Sequence, residues 1–191
     1  MKTNLLLCFT GSVATIKARP LLDLLLNDFN VEIIATEKSL KFLSLEDIDY
    51  LKSKVKVYID SDEWDNKVDL SKRSALHIDL RNWANAMLIA PCSANTLAKL
   101  ANGMADNLLT SVCRAWDYKT KFLIIAPAMN TLMWENPFTS KHMDALKSLS
   151  NTNVKFIPPI SKTLFCGDIG VGAMEQVSEI AKITKQFLVT L

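Results

Sequence analysis

The sequence predicts an α/β protein built on an open parallel sheet with helices on both faces. Short apolar runs of strand length recur along the chain, and helix-length segments separate most of them. Strands buried on both faces read as continuous apolar runs, and parallel strands need a crossover between them, so this alternation suits a parallel sheet covered on both sides. The chain carries no internal repeat, low-complexity tract or linker that would divide it, and its 191 residues suit one domain over 1–191.

Taken in order, the strands are expected at "NLLLCF" (4–9), "VEIIA" (31–35), "VKVYI" (55–59), "AMLIA" (86–90), "KFLIIA" (121–126) and "VKFIP" (154–158). After Gly11, the residues Ile16, Leu21, Leu24 and Leu25 give a helical stripe whose first turns Pro20 limits or kinks. The last helix is clearer, with Val177, Ile180, Ala181, Thr184, Phe187 and Leu188 on one face and Glu and Lys opposite. The least regular stretches are 60–75, rich in Asp, Lys and Ser, and 158–173, rich in Pro and Gly.

Composition narrows the function classes. Hydrophobic residues make up 49% and charged residues 22%, and 22 basic against 20 acidic side chains leave a net charge of +2. There is no basic stripe interleaved with aromatics, so no nucleic-acid partner is expected. "MKTNLLLCFTGSVA" imitates a secretory leader, but its unbroken apolar run covers only Leu5 to Phe9, and it reads better as the first strand. The longest apolar run, Phe122 to Met129, is too short to span a bilayer, so no membrane partner is expected. The four cysteines are scattered and form no metal-ligand spacing, which favours reduced thiols, a cytoplasmic setting and no metal.

In an open α/β sheet the ligand lies beyond the carboxyl ends of the strands, so those ends carry the candidates. After the first strand, "TGSVA" offers Gly11 for close backbone approach, the Ser12 hydroxyl, and a helix start at Val13 suited to phosphate. An ordinary serine-capped turn explains the same residues equally well, and the stretch is not the GxGxxG fingerprint. After the second, "TEKSL" adds Thr36 and Ser39, with plain helix capping as the equal alternative. The fourth ends in "APCSANTLAKLANGMADN", which puts Ser93, Ala94, Asn95 and Thr96 at a helix start. The fifth ends in the similar "APAMNTLMWENP", containing Ala128, Met129 and Asn130, and two ends of matching form are hard to explain by packing alone.

Three further residues stand out. His77, in "SALHIDLRNWA", is by composition more often an inert helix histidine than a catalyst, and His142 more so. "LFCGDIGVGAM" (164–174) holds three of the five glycines and places Cys166 before them. Free cysteines are commonly buried packing residues.

The ordered series "GSVA", "LHIDLRNWA", "PCSANTLAKLANGMADNLL", "RAWDY", "PAMNTLMWENPFT" and "LFCGDIGVGAM" closely resembles the flavin-containing cysteine decarboxylase family, in its branch acting on phosphopantothenoylcysteine, over about residues 4–176. The resemblance implies a Rossmann-like (flavodoxin-like) fold, bound FMN, a small-molecule substrate, and a homotrimer with sites between subunits. It implies a carboxy-lyase that converts 4′-phospho-N-pantothenoylcysteine to 4′-phosphopantetheine on the route to coenzyme A. A cysteine carboxylate has no adjacent electron sink. Hydride transfer from the carbon bearing sulfur to flavin creates a thioaldehyde that can accept the electrons of the breaking bond; CO₂ leaves, and the enethiol is then reduced and protonated.

Carried over by residue, His77 is the base that assists the oxidation or orients the carboxylate, and Cys166 the acid of the last reduction. Asn130 and Met129 clamp the substrate. Gly11, Ser12, Val13, Thr36 and Ser39 hold the FMN phosphate; Ser93, Ala94, Asn95 and Thr96 form the flavin loop, and Ala128 approaches the flavin. Cys92 stands where the family has alanine or leucine and is taken as a packing residue. Where plant members read "HIELRRWAD" this chain reads "HIDLRNWAN", with Asn82 and Asn85, so an arginine contact to substrate is either missing or supplied by Arg81. Gly167, Gly170 and Gly172 are expected to let their loop close over substrate. The alternatives are a peptidyl-cysteine decarboxylase, for which the cysteine loop is not needed, and a non-catalytic regulatory homologue, which typically lacks a catalytic residue or carries long acidic extensions.

Overall fold

The computed structural model describes residues 2–64, 75–150, 152–163 and 169–189. Six parallel strands form one sheet: β1 (Thr3–Phe9), β2 (Phe29–Ala35), β3 (Val57–Tyr58), β4 (Ala86–Cys92), β5 (Phe122–Pro127) and β6 (Val154–Phe156), in the order β3-β2-β1-β4-β5-β6. This is the Rossmann order; leaving aside the two-residue β3 at the edge, the remaining five strands follow the flavodoxin order. The α/β expectation is met.

Period-two alternation along each strand splits the apolar runs into two cores. One row of paired residues, Ile33, Leu7, Leu88 and Ile124, faces one side of the sheet. The next row, Ile34, Cys8, Ile89 and Ile125, faces the other. On the first side pack α1 (Ala18–Leu25), α3 (Leu45–Lys54) and α10 (Val177–Val189), through Leu21, Leu22, Leu25, Leu51, Ile180 and Leu188. On the second pack α5 (Leu76–Trp83), α6 (Ala94–Ala101), α7 (Leu108–Arg114) and α9 (Pro137–Lys147), through Leu80, Leu97, Leu109, Val112 and Leu146. Each fully buried leucine contributes about 1.5–3 kcal/mol from loss of water contact.

Several local outcomes differ from the sequence pattern. A 3-10 helix (Val13–Lys17) precedes α1, and its tighter winding turns Ile16 outward, leaving it 61% exposed; Leu24 is also exposed. Ala18, Leu21, Leu22 and Leu25 make the buried stripe instead, and Pro20 sits in the first turn of α1, where its missing N–H costs nothing. β3 is shorter than its apolar run because Val55 closes α3, its N–H donating to the Leu51 carbonyl at 3.1 Å. β6 ends before Pro158, which has no N–H for the ladder. The stretch 158–173 holds an antiparallel pair, β7 (Ile160–Thr163) and β8 (Ile169–Ala173). Short helices complete the chain at strand ends: α2 (Glu37–Leu40), α4 (Asp60–Glu63) and α8 (Thr131–Glu135). Among the described residues no helix is long and apolar enough to cross a membrane.

Candidate active site at the strand ends

The connections from β1 run one way across the sheet and those from β4 the other, so the β1/β4 boundary is the switch point where such sheets bind ligands. Thr10 holds that boundary together. Its fully buried hydroxyl donates to the Pro91 carbonyl at 2.8 Å and accepts from the Ser93 N–H at 2.8 Å. The turn after β1 is thereby tied to the start of α6.

Three helix starts open at this edge on neighbouring strands. Ser12 caps the 3-10 helix, its hydroxyl accepting from the Ala14 N–H at 3.4 Å. Thr36 caps α2, accepting from Ser39 N–H at 3.3 Å, while its own N–H reaches the Phe9 carbonyl at 3.1 Å. Ser93 caps α6, accepting from Thr96 N–H at 3.2 Å. A Cβ on Gly11 would lie 2.8 Å from the Lys38 Cβ, so a residue with no side chain is required where the β1 and β2 turns meet. Asn95 is exposed on the first turn of α6, and Ala94 is half-buried.

Not every candidate hydroxyl is free to bind a ligand. Ser39 is fully buried and donates to the Thr36 carbonyl at 2.6 Å, so its proton is committed to the cap. Ser93 spends its hydroxyl proton on Thr96 Oγ1 at 3.2 Å, and Thr96 itself is buried. Capping and phosphate binding, open alternatives in the sequence, do not exclude each other: capping uses the lone pairs of Ser12 and Thr36 and leaves their protons without a partner among the described residues.

After β5, the Ala128 N–H donates to the Cys92 carbonyl at 3.0 Å, and the Met129 N–H to the Gly172 carbonyl at 2.9 Å. Asn130 caps α8, its Oδ1 accepting from the Leu132 N–H at 2.9 Å. A Cβ on Gly172, whose φ is +150°, would stand 2.3 Å from the Met129 carbonyl oxygen; one on Gly170 would stand 2.5 Å from Thr131 Oγ1. These two glycines therefore seat β8 against the Met129–Thr131 turn, a close-approach role in place of the expected freedom. Cys166 and Gly167 lie outside the described residues, between β7 and β8 in the chain.

His77 and Arg81 occupy successive turns of one face of α5, and α5 packs on α7. His77 Nδ1 lies 2.6 Å from Glu63 Oε1, and its backbone N–H donates to Glu63 Oε2 at 3.0 Å. Arg81 Nε is buried and has no partner among the described residues. The C-terminal end of α5 is capped by Lys121, whose ammonium donates to the carbonyls of Arg81 and Ala84; burial and the nearby Arg81 charge lower its pKa. Asn85 Oδ1 accepts the Asn4 N–H at 3.0 Å beside the start of β1, away from the strand-end turns, a bond that an aspartate could also make. His142 stacks on Phe138 at 6.0 Å on α9. Burial pushes the Cys113 thiol up to about 12 and raises Cys8 and Cys92 as well, leaving all three protonated packing groups.

The arrangement fits a flavin mononucleotide. An anion is served by helix-start N–H groups and the hydroxyl protons of Ser12 and Thr36, and the buried Thr131 Oγ1, without a partner among the described residues, leaves a donor for a further polar group. A broad cleft of about 1060 Å³ beside β2 and β3, lined by Lys52, Lys54 and Glu32 among others, includes none of these residues. Two residues escaped the sequence reading. Thr10 falls within "TGSVA" but gains meaning only from its contact with Ser93, and Glu63 sits in an acid-rich stretch that reads as solvated.

Residues 1–189 match the family model described as Flavoprotein. A putative phosphopantothenoylcysteine decarboxylase from Dictyostelium discoideum is 65% identical over 183 residues, covering 96% of this chain and 92% of that one. Among solved structures, a cysteine-to-serine variant of a PPC decarboxylase complexed with pantothenoylaminoethenethiol superimposes with a TM-score of 0.89 at 45% identity, covering 98% of this chain and 99% of the other. The FMN binding protein AtHal3 superimposes with a TM-score of 0.87, also at 45% identity, over 100% of this chain and 99% of that one. With its switch-point cradle, its capped clamp and these relatives together, the chain belongs to the Flavoprotein family, within the group named phosphopantothenoylcysteine decarboxylase.

Proposed function

We propose that this chain, as one domain over 1–191, is an FMN-dependent carboxy-lyase that converts 4′-phospho-N-pantothenoylcysteine to 4′-phosphopantetheine. The observation that carries this reading is the junction of a phosphate-suited cradle, tied by Thr10 to the α6 start, with a clamp at Met129 and Asn130 on which β8 is seated. Gly11, Ser12, Val13 and Thr36 would hold the FMN phosphate, with Ser39 behind them as the inner member of the cap. Ser93, Ala94, Asn95, Thr96 and Ala128 would line the flavin. When bound, FMN supplies a two-electron acceptor and donor, taking a hydride from the carbon that bears sulfur and returning it after CO₂ has left.

The chain's own residues do the rest. Nε2 of His77 would receive the proton of the substrate thiol as the hydride departs, so that neutral thioaldehyde, not a cation, forms. The electrons of the breaking carbon–carboxylate bond then move into the thioaldehyde, giving CO₂ and an enethiolate. Cys166 would deliver a proton to the carbon that held the carboxylate, and Asn130 and Met129 would keep the substrate against the flavin. Arg81, with its buried Nε unpaired among the described residues, is the donor for a substrate anion.

Leu132, Met133 and Phe138, 74%, 49% and 64% exposed, surround this clamp with apolar surface of the kind that subunits cover, which supports a homotrimer with sites between subunits. The free thiols of Cys8, Cys92 and Cys113 support a cytoplasmic setting.

The purified protein should be yellow with an FMN spectrum, release CO₂ from phosphopantothenoylcysteine and yield phosphopantetheine. His77→Asn should stop the reaction before CO₂ leaves, and Cys166→Ser should release CO₂ and accumulate the enethiol. A colourless protein that releases no CO₂ overturns the proposal. A wild-type product halted at the enethiol would point instead to an oxidative, peptidyl-cysteine type of decarboxylase, and normal turnover by Cys166→Ser would remove that residue's role.

A further inference from the structure

Glu63 closes the short helix α4, 14 positions before His77, and its side chain is only 6% exposed. Both of its oxygens are spent on one residue: Oε2 accepts the backbone N–H of His77 at 3.0 Å, and Oε1 lies 2.6 Å from Nδ1 of the ring. The first contact does a capping task, since Ala75 at the start of α5 has no side chain able to satisfy the helix's free N–H groups. The platform beneath Glu63 is itself fixed. Asp62 accepts the Ile59 N–H at 2.8 Å, and Asp60 accepts the Leu108 N–H at the start of α7 at 3.1 Å.

This geometry settles which ring nitrogen bears the proton. A backbone N–H can only donate and an ionised carboxylate can only accept. With Oε1 facing the ring, Nδ1 must carry the hydrogen, and in the neutral imidazole the lone pair is left on Nε2, which has no partner among the described residues. We propose that Glu63 is the positioning residue of this site: its two-oxygen grip on His77 fixes the Nδ1–H tautomer and reserves Nε2 as the basic atom presented to substrate. The inference rests on the proposed role of His77 and names what makes that role possible.

Glu63→Gln tests it, because the amide has one acceptor for two donors. The backbone N–H of His77 claims the amide oxygen, the NH₂ group turns to the ring, and Nδ1 becomes the acceptor with the hydrogen moved to Nε2. Nitrogen-15 spectra of the FMN-loaded protein read the tautomer directly; the chain has two histidines, and a His142→Asn background leaves the His77 ring alone. Wild type should show Nδ1–H, and Glu63→Gln should show Nε2–H. Turnover of phosphopantothenoylcysteine should fall about 10²–10⁴-fold in kcat, the range for loss of a general base, with KM changed only a few-fold. A purely structural Glu63 would lower the melting temperature without exchanging the tautomer.

An Nε2–H ring in the wild type overturns the proposal whatever the variant does. So does a Glu63→Gln protein that keeps Nδ1–H, or one that exchanges the tautomer at wild-type kcat. If His77→Asn turns over normally, the reading of His77 as the base falls, and the catalytic purpose of the grip falls with it, while the measured tautomers still report the grip itself.

Discussion

Gly172→Ala should detach the β7–β8 pair from the clamp, and the size of the effect follows from two contacts. At φ +150° an L side chain is strained, a term of about 1–3 kcal/mol for such backbone regions. The new Cβ would also lie 2.3 Å from the Met129 carbonyl oxygen, a backbone atom that no rotamer change can remove. Backing away breaks the 2.9 Å bond from Met129 N–H to the Gly172 carbonyl, worth a further 0.5–1.5 kcal/mol or so. Together these disfavour the seated pair by about 2–4 kcal/mol, which should speed hydrogen exchange at the Met129 amide by at least about 30-fold. Because Cys166 lies between β7 and β8, the final protonation should slow and the enethiol accumulate. Gly170→Ala provides the internal control, since its Cβ meets a side chain: Thr131 Oγ1 at 2.5 Å and Cγ2 at 2.7 Å. Thr131 Oγ1 has no hydrogen-bond partner among the described residues, so in the unliganded protein Thr131→Ala sacrifices no bond to them and makes room. The double variant Gly170→Ala/Thr131→Ala should recover most of what Gly170→Ala loses, a favourable coupling above about 1 kcal/mol in a double-mutant cycle. No second substitution should rescue Gly172→Ala in the same way. Wild-type exchange at Met129 in Gly172→Ala, or no rescue by Thr131→Ala, would refute the reasoning.

Two further outcomes follow from other contacts. Thr10→Val keeps the shape but leaves the Pro91 carbonyl and the Ser93 N–H without the hydroxyl that joins them, and should cost about 1–3 kcal/mol in urea unfolding while weakening FMN retention; unchanged stability and colour would refute the clasp. On the acid side, the Ser44 hydroxyl and backbone N–H hold the Asp47 carboxyl below its ordinary range, the Lys99 ammonium does the same for Asp106, and the Thr120 hydroxyl for Asp117. Carboxyls depressed in the folded state add stability that is complete above their unfolded values, near 4, and is lost as pH falls through the folded ones. Stability should therefore drop as pH falls below about 4, and Asp47→Asn should flatten that limb; an identical acid limb in the variant would contradict the assignment.

What the sequence made legible was whatever a residue does through its neighbours in the chain. Leu5 to Phe9 and Met87 to Ile89 read as strands because burial on both faces leaves an unbroken apolar run, and Ser12, Thr36 and Ser93 read as caps because a cap acts within three residues. The hidden features all depend on a partner far along the chain. Gly170 and Gly172 look like loop glycines in sequence, because nothing local announces that Thr131 and the Met129 carbonyl stand against them. Thr10 resembles any strand-end threonine until β4 is placed beside β1. Glu63 is the sharpest case. Its local company, Asp60 and Asp62 in a polar stretch, argues for a solvated surface, yet those two acids are occupied with backbone N–H groups and leave Glu63 turned inward to His77. A ring nitrogen's proton is decided by such a contact and by no property of the histidine's own neighbours. The ordered motifs could therefore point to His77 as the base, while the reason it would serve as one becomes visible only once the chain is folded.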